Sequence, residues 1–235
     1  MHHAKVRVTE YGYPKAYSGL KPLEEQICML QKKVSHWADI ELDVEPALAF
    51  ARELQASSSL PDGAEGRAAI IAPGIRGDHQ HDVALALELF HAMKSTATPE
   101  DFDPAAFRLD ERTERMLDAL CEMQAGPILI LPVQFGKRHA KRIDTDVVSG
   151  FGDHPEFALD LLSMVSLLIT HPERLADYSA LGISCPGDEY DYLRTSTFER
   201  SLMMLAQAGQ IKLRSRPKDY NSTDHGVVTG FLHAA

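Results

Sequence analysis

The sequence lacks the features that mark several common protein classes. It has three cysteines, Cys28, Cys121 and Cys185, an odd number with no paired spacing, which argues against a disulfide framework or a zinc knuckle. The longest apolar region, 157–169, carries polar residues and is too short to span a bilayer as a helix. The start, MHHAKVRV, has no apolar centre of the secretory-signal kind. We therefore expect a cytoplasmic protein that makes no membrane contact.

Complete catalytic signatures are also missing. The chain contains no GxSxG, GxxxxGK[ST], HExxH or CxxC pattern. The nearest approach to a glycine-rich phosphate loop is SGFGD at 149–153, which lacks a third glycine. Asp153, interpreted as a helix cap, would occupy the backbone N–H groups that a phosphate needs. The sequence therefore leaves open whether the protein is an enzyme.

Helix and strand patterns interleave without strict alternation. This order predicts either an α+β fold or a three-layer α/β fold, with a mixed sheet and helices packed around it. We expect a single domain over 1–235, with 1–55 as a candidate N-terminal subdomain set off by the loop-like segment 56–66. The segment KVRVTEYGY, 5–13, predicts a strand by alternation, as does IDTDVV, 143–148.

Two sequences resemble capping boxes with proline in the first turn. They are DHPE at 153–156 and THPE at 170–173, and each predicts a helix start. We accordingly interpret His154 and His171 as structural residues, and the apolar stretch between them as a core helix. Further along, CPGDEY, 185–190, predicts a turn, and TFERSLMMLAQAG, 197–209, predicts a helix that ends at its glycine.

Charge is distributed unevenly along the chain. The formal net charge is -10, yet four cationic side chains occur in each of three short segments, 1–22, 134–142 and 210–218. Such segregation can steer an anionic ligand to one face of a protein. The alternative is that these basic segments pair with acidic surfaces of the same chain.

The segment QFGKRHAKR, 134–142, is the strongest candidate for a binding site. It follows the apolar strand pattern GPILILPV, and side chains at a strand end are held by a rigid scaffold. Lysine and arginine bind phosphate or carboxylate, glutamine and histidine add hydrogen bonds, and glycine permits close backbone approach. The predicted ligand-binding residues are Gln134, Gly136, Lys137, Arg138, His139, Lys141 and Arg142.

These residues predict an accessory protein that binds an anionic partner. The expected partner is a phosphate-bearing small molecule or a nucleic acid, since Tyr11, Tyr13 and Tyr17 lie among basic residues that could accompany stacked bases. The sequence specifies neither a cofactor nor an oligomeric state.

A metal-dependent hydrolase is the competing hypothesis. His79 and His81 are spaced two apart in GIRGDHQHD, with Asp82 beside them, and Glu88 and His91 form an ExxH pair on the following helix. Imidazole and carboxylate groups are the usual ligands of catalytic divalent metals. Under this alternative, His79, His81, Asp82 and His91 would bind a divalent cation as cofactor.

Overall fold

The computed structural model describes residues 11–55, 59–98, 101–221 and 223–232. Six α-helices lie in this part of the chain: α1 (Leu23–Ala38), α2 (Glu45–Gln55), α3 (His79–Ala92), α4 (Glu111–Met123), α5 (Asp144–Ser149) and α6 (Leu161–Thr170). Short 3-10 helices span Pro104–Ala106 and Pro172–Leu175. None of the helices in the described ranges is long and apolar enough to cross a membrane.

Within the described residues, ten strands form two sheets. They are β1 (Gly66–Ile71), β2 (Thr96–Ala97), β3 (Phe107–Leu109), β4 (Ile128–Gln134), β5 (Glu156–Ala158), β6 (Gly182–Tyr190), β7 (Arg200–Gln207), β8 (Gln210–Pro217), β9 (His225–Val227) and β10 (Thr229–Phe231). The first sheet is antiparallel throughout, in the order β1-β4-β10-β5. The second has the order β2-β8-β7-β6-β3, with β9 parallel to β6. The fold is therefore α+β, one of the two predicted architectures.

The chain passes directly from one sheet to the other near its C-terminal end. β9 pairs with β6 in the second sheet, and β10 pairs with β4 and β5 in the first. Only Val228 separates the two strands; its N–H donates to the Ser184 carbonyl, and its own carbonyl accepts from the Leu159 N–H. This crossing brings the end of β4 close to the second sheet.

Helix α6 occupies the centre of the core. Every one of its residues is buried, and the helix packs against β1, against β6 and against helices α1 and α3. An apolar helix can be covered on all sides only in such a position, so the prediction of a core helix is confirmed. One continuous hydrophobic cluster includes Ile27 of α1, Ala51 of α2 and apolar residues from both sheets, such as Leu129 of β4 and Leu202 of β7.

Several predicted boundaries are wrong. The DHPE sequence begins no helix, because Glu156 starts β5 and α6 begins after Asp160, whose carboxylate accepts from the Ser163 N–H at 3.1 Å. THPE leads into a 3-10 helix without a side-chain cap. The predicted strand at 143–148 is helix α5.

Two predictions in the second sheet are also wrong. The predicted turn at 185–190 is part of β6, whose pairing register with β7 shifts between Cys185 and Glu189. The predicted helix at 197–209 is largely β7, which pairs with strands on both sides. The predicted strand at 5–13 lies mostly outside the described residues.

Candidate anion-binding site

The basic loop, residues 135–142, begins where β4 ends and is fixed by buried hydrogen bonds. The side-chain amide of Gln134 donates to the Val227 carbonyl at 2.7 Å and to Thr229 Oγ1 at 2.9 Å. Its Oε1 accepts from the Gly136 N–H at 2.7 Å. Gln134 is fully buried, so it orients the loop from below and does not make the ligand contact that we expected.

Gly136 allows the loop to cross β9 at very short range. Its φ is 97°, and a methyl group there would lie 2.9 Å from the Gly226 carbonyl oxygen. The close approach predicted for this glycine is thus to β9 and not to a ligand. In open parallel sheets, ligands bind beyond the carboxyl ends of the strands. The first sheet is antiparallel, so that rule does not apply here. The position of the loop is set by its crossing with β9.

Two of the four cations in the loop line a common cavity, and the other two do not. Arg138 and Arg142, four residues apart, line a concave cavity together with His139. Lys137 does not, since its Nζ lies 5.8 Å from the ring centroid of Tyr13. Lys141 is exposed, with a φ of 64°. The structure therefore brings three of the seven predicted residues together around one cavity.

We call this cavity the basic cavity. It lies between the basic loop, the end of α5 with the turn after it, and β5, and its volume is about 430 Å³. This volume is within the roughly 300–1,000 Å³ typical of small-molecule sites. The residues that line it are Arg138, His139, Arg142, Val147, Gly150, Phe151, His154 and Glu156.

Glu156 lies buried at one side of the basic cavity and is ionised. Burial alone would raise the pKa of its carboxyl group, but hydrogen bonds from His139 and Thr229 and the charge of Arg138 outweigh burial and lower it. His139 Nε2 and Thr229 Oγ1 lie 2.7 and 2.6 Å from Glu156 Oε1, and Arg138 Nε lies 3.5 Å from Oε2. Glu156 therefore offsets one guanidinium charge.

His139 lies between Arg142 and Glu156. Arg142 Nη1 lies 3.2 Å from His139 Nδ1, and because a guanidinium can only donate, Nδ1 is the accepting nitrogen of this contact. His139 Nε2 faces Glu156 Oε1. Arg142 forms no ion pair with any residue in the described ranges, so its charge remains unmatched and the basic cavity is electropositive.

The far wall of the basic cavity is the turn 150–155, which Arg112 of α4 holds in place. The guanidinium donates to the carbonyls of Gly152, His154 and Glu156, with Nη1 2.7 Å from the Gly152 oxygen. It also lies 5.5 Å from the Phe151 ring centroid. Our sequence interpretation missed His154 and Glu156 as site residues because it assigned both to a helix cap. The SGFGD motif was the available signal, because its first glycine, Gly150, and its phenylalanine, Phe151, line the cavity.

Comparisons of this chain with protein-family models, with curated proteins and with solved structures found no match. The function must therefore be inferred from the chain's own geometry.

The four residues of the alternative metal site contact four separate partners. His79 Nε2 lies 2.8 Å from Asp188 Oδ1, and His81 Nδ1 lies 2.8 Å from Asp78 Oδ1 at the surface. Asp82 accepts from the Gly74 N–H, and His91 Nε2 lies 2.8 Å from Thr98 Oγ1. Within the described ranges, no group of three or more His, Cys, Asp or Glu residues is arranged to hold a metal ion.

The other two basic segments make mixed contributions. Lys5 and Arg7 lie outside the described residues, whereas Tyr13 of the first segment contacts the basic loop through the Lys137 N–H. In the third segment, Arg216 pairs with Asp144 and Lys218 pairs with Glu189. Acidic residues of the same chain therefore neutralise part of the positive charge of the third segment, as the alternative hypothesis of internal pairing predicts.

Proposed function

We propose that this is a cytoplasmic accessory protein that binds a small phosphate-bearing molecule in the basic cavity. The observation that carries the proposal is the unmatched guanidinium of Arg142, which faces a concave cavity beside Arg138 and His154. A guanidinium presents several N–H donors in one plane, and this arrangement suits the oxygens of a phosphate. The three free cysteines are compatible with a reducing compartment.

A small molecule is favoured over a nucleic acid by the division of charge within the loop. A polynucleotide groove tracks the backbone with a row of cations, but here the two arginines of the loop line one cavity and its two lysines do not. This arrangement suits one compact anionic group. The separate contacts of His79, His81, Asp82 and His91 give the metal-dependent hydrolase no comparable support.

Replacing Arg142 is the sharpest test of this proposal. Arg138 also contacts Asp62 and Glu156 at 3.5 Å, so its loss would disturb the protein itself, whereas Arg142 has no ionic partner to leave behind. We expect Arg142→Ala to weaken binding of a phosphate ligand roughly tenfold to a hundredfold, as the loss of a charged hydrogen bond does. Isothermal titration calorimetry with phosphate, pyrophosphate, a mononucleotide and a single-stranded oligonucleotide would measure the change.

Lys141→Ala is the matched control, because it removes the same charge from the same loop outside the basic cavity. We expect it to change affinity by less than about threefold, because water screens a charge that does not line the cavity. Equal losses in the two variants would show unspecific attraction, and the site would be rejected. Tighter binding of the oligonucleotide than of the mononucleotide would favour nucleic acid. If the parent protein binds none of the four ligands, the proposal is wrong.

A further inference from the structure

A second concave site lies away from the basic cavity. It is a groove of about 690 Å³ between α1, the end of α3, α6 with the 3-10 helix that follows it, and the β7–β8 hairpin. We call it the apolar groove. Five of its lining residues are buried apolar side chains, which form its floor: Met93, Leu168, Ile169, Leu175 and Ile211. Such a floor suits an apolar ligand and disfavours a hydrated phosphate.

One face of helix α1 forms a wall of the apolar groove. Met29, Lys33, His36 and Trp37 all line it, and a spacing of three and four residues places such side chains together on a helix. Trp37 is half-buried, with Lys33 Nζ 4.8 Å from its ring centroid. The lysine therefore projects beside an aromatic wall, where a flat or extended apolar group could lie against the indole.

The charge around the apolar groove has a single sign. Lys33, Lys94 and His36 are among its lining residues, and no aspartate or glutamate is, although the chain as a whole has a net charge of -10. Neither Lys33 nor Lys94 forms an ion pair with another described residue. An apolar floor with unmatched cations at its edge is complementary to a molecule that has an apolar body and an anionic end.

We propose that the apolar groove is a second binding site, for an amphipathic carboxylate whose apolar body lies on the floor and whose carboxylate meets Lys33 and Lys94. The groove is concave and bordered by five elements of one chain, which suits a small molecule better than the broad face of a partner protein. Its volume is within the range of sites that enclose most of a small ligand. This site is independent of the basic cavity, because the two share no lining residue.

Dodecanoate and dodecanol are suitable probes, because they differ only in the head group. We expect saturable binding of dodecanoate below its micelle concentration, measured by calorimetry and by thermal stabilisation. Lys33→Glu and Lys94→Glu should each weaken dodecanoate roughly fivefold to tenfold, because charge reversal replaces an attraction for the carboxylate by a repulsion, and should leave dodecanol nearly unchanged. Lys32→Glu is the matched control, since Lys32 is exposed on the same helix and does not line the groove.

A variant that fills the groove gives an independent test. Ala206 of β7 lines it and is half-buried, so Ala206→Phe should abolish binding of both probes while circular dichroism shows an unchanged fold. If that variant does not fold, the comparison of Lys94→Glu with Lys32→Glu decides the matter. Absence of saturable dodecanoate binding, or equal weakening by those two changes, overturns the proposal. Arg142→Ala should bind dodecanoate normally, which separates this site from the basic cavity.

Discussion

At the scale of single residues, the clearest feature is a fully buried histidine. His171 Nε2 accepts the Lys21 N–H at 2.9 Å, while Nδ1 lies 2.8 Å from Thr170 Oγ1 and 3.3 Å from the Leu167 carbonyl. Nε2 must be unprotonated to accept that bond. Burial, assisted by the charge of Lys21, lowers the pKa of His171 to about 4. The neutral ring is therefore part of the folded structure.

His171 should make the protein less stable in acid. Its folded pKa lies below the unfolded value of 6.5, so between pH 6.5 and 4 the unfolded chain binds more protons and the free energy of unfolding falls with pH. The loss could reach about 3 kcal/mol. We expect His171→Gln to remove this dependence, as measured by urea unfolding at pH 7, 5.5 and 4. His36→Gln, at an exposed histidine of α1, should behave like the parent.

Asp160 changes the free energy of unfolding in the opposite direction over the same pH range. The pH dependence of the parent protein alone therefore does not show the contribution of His171. Burial, reinforced by the charge of Asp188, raises the pKa of Asp160 to about 6. Its folded state holds the proton more tightly, so its contribution to stability is lost as pH rises from about 4 to 6. Only the difference between parent and His171→Gln isolates the histidine. An identical pH dependence in both proteins would contradict the assignment.

At the scale of helices and strands, the apolar runs of α6 and β4 were predicted in their observed form, whereas β7 was not. β7 was mistaken for a helix because four consecutive residues, 201–204, are buried. A strand covered on both faces loses the period of two that identifies it, and only its pairing with β6 and β8 determines its form.

The basic loop shows the same limit at the candidate site. QFGKRHAKR was recognisable as a basic segment after a strand, but which of its cations share a cavity depends on β9, more than eighty residues further along the chain. Glu156 and His154 come from another segment, which is positioned by hydrogen bonds from Arg112 to their carbonyl oxygens. Local sequence carries no signal for such long-range contacts, so the loop could be predicted and the rest of the cavity could not.

The crossing of the basic loop and β9 should tolerate no side chain at Gly226. A methyl group there would lie 1.9 Å from the Gly136 carbonyl oxygen, and the obstacle is backbone, which cannot rotate away. We expect Gly226→Ala to lower the free energy of unfolding by about 3 kcal/mol, the upper end for overpacking, and to weaken phosphate binding by displacing the loop. Urea unfolding and calorimetry would measure the two effects.

Gly12→Ala is the corresponding control. A methyl group at Gly12 would meet no atom within 4 Å, and Gly12 has no positive φ among the described backbone angles. Its free energy of unfolding should stay within about 0.5 kcal/mol of the parent. Equal effects of the two substitutions would mean that the crossing is not the constraint that we describe.

At the scale of the whole molecule, a buried ionic network attaches α5 to the second sheet. Asp144, the first residue of α5, accepts from Ser184 of β6 at 2.7 Å and from Ser201 of β7 at 2.5 Å, and pairs with Arg216 of β8 at 2.7 Å. His225 Nδ1 of β9 lies 2.8 Å from Arg216 Nη1. All five side chains are buried. The helix that follows the basic loop is therefore fixed to the opposite sheet from the one in which the loop begins.

Removing both partners of the Asp144–Arg216 pair should lower the free energy of unfolding by less than the sum of the two single losses. Asp144→Ala leaves the Arg216 guanidinium buried without its counter-ion, and such a loss costs about 3–5 kcal/mol. Arg216→Met leaves the carboxylate with the two serine donors and should cost less. In the double variant no charge is left buried without a partner, so its free energy of unfolding should exceed the value expected from adding the two single losses, by about 1–3 kcal/mol.

Urea unfolding of the parent, the two single variants and the double variant measures this coupling. Asp146→Ala, which removes an exposed acid on the same helix, is the control for helix α5 itself. Strictly additive losses would mean that Asp144 and Arg216 do not act on each other, and that the serine hydrogen bonds alone attach α5 to the sheet.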